Sequence, residues 1–224
     1  MCFHVSTKVK RSLKNEHKGG FRIVEESERY GAYDHPDLPA TLSMDQAEPQ
    51  SLQWGLIPHW ARNVDHAREL QAVGRNARTE TMFEKPMFRD AARQGRCLIW
   101  LDGFFEWQHR GKKKVQYFIH MPGNQLFPVA GLRSLWTDPQ SGITLDTCTI
   151  VTTAANELMS EIHNSKLRMP AIMLPVYQGS WLDAGSGLEQ LRMATNPLPD
   201  GILIAEEVNE EAQLPATGTS LSLF

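Results

Sequence analysis

Cys97–His120 reads CLIWLDGFFEWQHRGKKKVQYFIH. CLIWL is an unbroken apolar run of strand length, and GFFEWQ resumes after Asp102. RGKKK is a polar hairpin turn, and VQYFIH returns as a strand. Downstream, LFPVAGL and SLW lead to the turn DPQSG. In ITLDTCTIVTT, Ile143, Leu145, Thr147, Thr149 and Val151 alternate with period two. Short strands are further expected at Gln53–Ile57, Met169–Leu174 and Ile202–Ala205.

Upstream of this strand-rich half, Thr7–Lys18 reads as a helix, with Thr7 as its cap, Val9 and Leu13 on one face and Gly19-Gly20 at its end. Residues 25–50 are acidic and carry Pro36, Pro39 and Pro49, the pattern of a surface excursion. Short helices are expected at Thr79–Glu84, Pro86–Arg93, Ala155–Ile162, Val176–Leu182 and Leu188–Met193. Strands and helices do not alternate as βαβ units, which argues against a doubly wound sheet. The expected fold is α+β: one mixed domain over residues 1–212, with a curved, largely antiparallel, barrel-like strand core and peripheral helices. Residues 213–224 read as a loose tail. Trp54 and Trp136 are expected in the core.

The chain has 224 residues, 41% hydrophobic and 22% charged, so disorder is excluded for its bulk. No run of 18 apolar residues predicts a membrane span, and the N-terminus has no apolar segment of the kind that marks a secretory leader. Cys2, Cys97 and Cys148 are few, odd in number and far apart, which fits a reducing, cytoplasmic setting rather than a disulfide framework. Neither a metal-ligand spacing nor a phosphate-binding glycine loop occurs, so no metal, cofactor or nucleotide is expected. The net charge of −3 conceals an uneven distribution. Lys8–Arg22 holds six basic residues against one acid, and Arg62–Lys114 twelve against seven. That surplus is either solvated surface or a basic face for nucleic acid.

Four clusters could carry chemistry. Removal of Met1 would leave Cys2 with an α-amine of ordinary pKa about 7.7–8.0, far more basic-form at neutral pH than a lysine. With the thiol on the same residue, an aldehyde can be trapped first as an imine and then as a thiazolidine ring. Equally, Cys2 could be a small apolar residue opening a strand. In GRNARTET, Asn76 suits holding a backbone group and Arg78 suits a phosphate, or the segment is a capping turn. Glu106, between Phe105 and Trp107, is either a carboxyl of raised pKa fit for proton transfer or a solvent-facing residue of its strand. His163 ends a short helix and can move a proton or simply face water. Arg168 enters an apolar strand and needs a phosphate or a carboxylate partner there. Trp60 and Trp107 lie where bases could stack, or belong to the core.

Cys2, WGLIPHW, NARTET, the GFFEW box and the IH…RMP segment, in this order from Cys2 to about Leu174, resemble the SRAP family of SOS response-associated, abasic-site processing proteins. The resemblance implies a channel for single-stranded DNA and a covalent thiazolidine crosslink between Cys2 and the ring-opened aldehyde of an abasic site. It implies autoproteolytic loss of Met1, with possible lyase activity, in a chain expected to be a monomer without membrane partners. It assigns Asn76 to orienting Cys2 and the sugar, Glu106 to proton transfer and His163 to opening the deoxyribose. Arg78 and Arg168 would bind flanking phosphates, with His4, Trp60 and Trp107 also against DNA. Two departures stand out: Phe3-His4 replaces the usual Gly-Arg, and Asn164–Leu167 stretches the usual His-x-Arg-Met-Pro. An N-terminal-nucleophile amidohydrolase of the class II glutamine amidotransferase type, and a non-catalytic single-stranded DNA binder, are the alternatives.

Overall fold

A computed structural model describes residues 2–11, 21–46 and 48–208. The chain opens with β1 (His4–Arg11) and β2 (Phe21–Gly31), then β3 (Asp37–Thr41) and β4 (Gln50–Trp54). Helix α1 (Val64–Val73), β5 (Asn76–Arg78) and α2 (Arg89–Gln94) follow. The strand-rich half is β6 (Arg96–Leu101), β7 (Gly103–Arg110), β8 (Lys113–His120), β9 (Phe127–Thr137) and β10 (Thr144–Ala154). Then come α3 (Glu157–Ile162), β11 (Arg168–Pro170), α4 (Pro175–Leu182), α5 (Leu188–Ala194) and β12 (Ile204–Glu207).

Five strands close on themselves in the order β10-β4-β3-β6-β9, with β9 pairing back to β10. Closure removes free sheet edges. All these pairings are antiparallel except β4 with β10. The long β10 is the seam: besides β9 and β4 it pairs β5 in parallel and β11 antiparallel. Leu38, Leu52, Trp54, Ile99, Val129 and Ile150 are all fully buried in one core cluster. The Trp54 indole nitrogen donates to the Arg75 carbonyl at 2.8 Å, so its burial leaves no polar group stranded. A second sheet, β12-β8-β7-β1-β2, flanks the barrel; α2 packs on β6 and β9, α4 on β6, and α5 on α4. The mixed single domain with a barrel-like core is therefore as expected, and both Trp54 and Trp136 are buried.

Three local expectations are corrected. Residues 7–11, expected in a helix, lie in β1, where Thr7 and residues 9–11 pair with β2. Val5, Thr7 and Val9 are β-branched at every second position, a strand pattern that prevailed over the capping signal at Thr7. The rest of that expected helix, residues 12–18, and the expected tail, residues 213–224, lie outside the described residues. The turn-rich 25–50 segment is not a surface excursion: it supplies β3, with Leu38 and Ala40 buried inside the ring. Residues 79–88 form turns, and the helix begins only at Arg89. Conversely, α1 arises where none was expected. Asn63 caps it by accepting from the His66 amide at 2.9 Å, but only Ala67 and Gln71 are buried along it, too narrow an apolar stripe to read.

Candidate active site

The site forms where the start of the chain crosses the second sheet. β1 pairs β7 through His4↔Phe105, Val5↔Phe104 and Ser6↔Gly103, which sets Cys2 and Phe3 just beyond this register, at the Glu106 end of the pairing. Asn76, on β5, reaches across 74 residues of sequence: its side-chain amide donates to the Cys2 carbonyl at 2.8 Å. The side-chain oxygen Oδ1 of Asn76 is buried with no hydrogen-bond partner among the described residues. The Cys2 thiol is itself buried, 3.7 Å from the His4 carbonyl. Burial first and the nearby Glu106 second hold its pKa well above the ordinary thiol value.

Glu106 is only 4% exposed, and burial pushes its carboxyl up to about 8. Its Oε1 has no hydrogen-bond partner among the described residues, and its Oε2 lies 3.7 Å from Nε2 of His163. His163 terminates α3 and is also buried. Its Nδ1 is 2.8 Å from the Arg168 carbonyl. A carbonyl only accepts, so Nδ1 carries the hydrogen and the Nε2 lone pair faces Glu106. Burial, more than any neighbour, lowers the His163 pKa to about 4. At neutral pH the pair therefore holds one transferable proton on a carboxylic acid beside a neutral imidazole, the reverse of an ion pair. Such an acid can donate a proton to a developing alkoxide or amine and take it back later.

These groups floor an open cleft of about 310 Å³. Glu106 and His163 lie at its base, Phe3 and Trp107 wall it, and His109, Lys114, Ser165 and Lys166 form the rest of the lining. His4 packs edge-on against Trp107, ring centroids 5.1 Å apart. Burial and the charge of Arg29 lower its pKa, so it is a neutral ring at pH 7. The structure thus brings Cys2, His4, Asn76, Glu106, Trp107 and His163 together. Trp60 does not line this cleft; it sits between β4 and α1, partly exposed and tilted against His66. Arg78 is exposed at the end of β5 and is also not part of the lining. Arg168 has the carboxylate partner that its place in the sequence demanded. Its guanidinium pairs with both oxygens of Glu80 and donates to the Thr152 carbonyl at 2.5 Å.

Sequence reading missed His109, Lys114, Ser165 and Lys166. Lys114 falls in a stretch that reads as a hairpin turn, and 164–167 in one that reads as a stretched spacing; the lysine run itself is the available signal.

The family model described as SOS response associated peptidase (SRAP) matches residues 1–213. The abasic site processing protein YoqW of Bacillus subtilis (strain 168) is 41% identical over 133 residues, covering 59% of this chain and 56% of its own. The abasic site processing protein HMCES of Xenopus tropicalis is 33% identical over 141 residues, covering 55% and 41%. The matched stretches thus span about half the length of these curated relatives. A crystal structure of a protein from Bacteroides thetaiotaomicron superposes with a TM-score of 0.83 at 30% identity, covering 94% of this chain and 93% of that one.

Proposed function

The chain belongs to the SOS response associated peptidase (SRAP) family, and on that premise we propose that it captures abasic sites in single-stranded DNA through Cys2 after removal of Met1. The observation that carries this is that Cys2, held by Asn76, adjoins a protonated Glu106, which faces a neutral His163 in the lining of one cleft. The names of the curated relatives, abasic site processing proteins, point the same way.

His163 assists opening of the deoxyribose, which frees the C1′ aldehyde. The Cys2 amine adds to that carbon, and Glu106 gives its proton to the departing hydroxyl, so that water leaves, an iminium ion forms and Glu106 becomes a carboxylate. Because the thiol is held un-ionised, that carboxylate takes the thiol proton as the sulfur bonds to the iminium carbon, which closes the thiazolidine with the N–H kept on nitrogen and restores the Glu106 acid. Asn76 keeps Cys2 in place through its carbonyl. Arg168 and Glu80 act by fixing the backbone that orients His163. Selectivity follows from chemistry, since only a sugar without its base presents an aldehyde. A crosslinked segment protects the lesion from strand breakage.

Incubation with an abasic oligonucleotide is expected to give a heat-resistant, slower-migrating band, accompanied by intact mass lacking one methionine. Cys2→Ala is expected to abolish the band, and an undiminished band would overturn the proposal. Glutaminase activity without DNA would favour the amidohydrolase alternative, and binding indifferent to abasic sites the non-catalytic one.

A further inference from the structure

The cleft carries cations that the capture chemistry does not use. Lys114 on β8 stands directly opposite His109 on β7. The backbone of His109 is in turn gripped by Asn164. The Asn164 side-chain oxygen accepts from the His109 amide at 3.1 Å, and its amide donates to the His109 carbonyl at 2.9 Å. Gln108 adds a third tie, donating to the Glu161 carbonyl at 2.9 Å. Three neighbouring segments, β8, β7 and the 163–167 loop, are thereby stitched side by side. Their side chains Lys114, His109 and Lys166 share one lining with Glu106 and His163.

Both lysines are exposed, and neither makes an ion pair with a described residue. Among the described residues, the only acid in the lining is Glu106, at its base. A cleft with two unneutralised ammonium groups beside a pinned loop is suited to a polyanion. Asn164 also restrains the loop in advance, which lowers the ordering cost of binding.

We propose that Lys114 and Lys166 form a two-point clasp for backbone phosphates of the strand that enters the cleft. The clasp rests on the single-stranded DNA reading above and adds to it the residues that hold the strand. The cationic contact comes from these two lysines, not from His4, which is half-buried against Trp107.

The test uses equilibrium binding of the full chain to a single strand carrying a tetrahydrofuran abasic analogue. The analogue has no aldehyde, so binding is scored without crosslinking. Each lysine on a phosphate contributes about 0.7 to the slope of log affinity against log salt concentration. Lys114→Gln with Lys166→Gln should flatten the slope by about 1.4, whereas the double Lys→Arg variant should retain it. Neutral methylphosphonate linkages beside the analogue should flatten the wild-type slope and have no further effect on the double Gln variant.

An unchanged slope in the double Gln variant, or a full methylphosphonate effect persisting in it, overturns the clasp. So does a wild-type protein without measurable affinity for the strand. If the slopes shift as expected but a true abasic strand is never crosslinked, the clasp stands and the capture reading falls. If crosslinking occurs with unshifted slopes, the reverse holds.

Discussion

The barrel interior and the cleft floor are both shielded from water, yet they treat polar groups in opposite ways. In the barrel, Leu38, Trp54, Ile99 and Ile150 fill the ring, and the indole of Trp54 has its hydrogen bond. Cys97 and Cys148 are also buried there, and burial before all else raises both thiols beyond reactive range. Around the site, Asn76 beside Cys2 and Glu106 at the cleft floor each keep a buried oxygen without a partner among the described residues, and a carboxyl is held as an acid. An unsatisfied buried polar atom is costly, so the floor is destabilising where the ring stabilises. A third thiol, Cys2, is likewise raised first by burial; its carboxyl neighbour is Glu106, where that of Cys97 and Cys148 is Asp146.

The contrast can be broken most forcefully in the barrel. Trp54→Ala should cost about 3–5 kcal/mol in chemical denaturation, because it opens a cavity inside a closed ring. A loss below about 1 kcal/mol would show that the ring does not carry the stability assigned to it.

The next test lies on the floor and is read against pH. The folded-state pKa of Glu106, about 8, is above its unfolded value, so the folded state holds the extra proton and stability falls as pH rises toward 8. The folded-state pKa of His163, about 4, is below its unfolded value, so stability falls as pH drops below about 6.5. Between about pH 4.5 and 6.5 the two oppose one another. From pH 6.5 to 8 only Glu106 acts, and wild type should lose about 2 kcal/mol over that interval. Glu106→Gln should remove the alkaline loss and uncover acid sensitivity from His163, both measurable by denaturant titration across pH. Identical profiles for the two proteins would place the Glu106 carboxyl in water.

The smallest effect is expected at the edge between the regions. Glu80→Gln weakens the clamp on Arg168, whose carbonyl orients His163, and should cost about 1–2 kcal/mol in thermal or denaturant unfolding. It should also slow capture without abolishing it. Loss of capture as complete as in Cys2→Ala would mean that Glu80 is part of the reacting group.

Legibility in the sequence followed the range of the forces involved. The hairpin from β7 to β8 was readable, since Arg110 pairs with Lys113 around Gly111, whose φ of +63° favours glycine. At Thr7, a local capping signal competed with strand alternation, and pairing with β2 decided the outcome. β3 was misread because its prolines and acids look like surface until β4 and β6 are set beside it. Cys2, Asn76, Glu106 and His163 could each be singled out by residue type, and each had an equally ordinary structural role available. For Arg168, an anionic partner was required by its setting, but nothing nearby in sequence distinguished Glu80 from a phosphate.

By itself, then, the sequence determined the strand-rich composition, the tight hairpin and the presence of a thiol beside a potential N-terminal amine, all properties of neighbours along the chain. Ring closure, the Glu106–His163 pairing and the opposite pKa shifts of the two side chains were decided only by tertiary structure. The physical reason is that a pKa answers to burial and to charges a few ångströms away, and here those charges arrive from segments tens of residues apart.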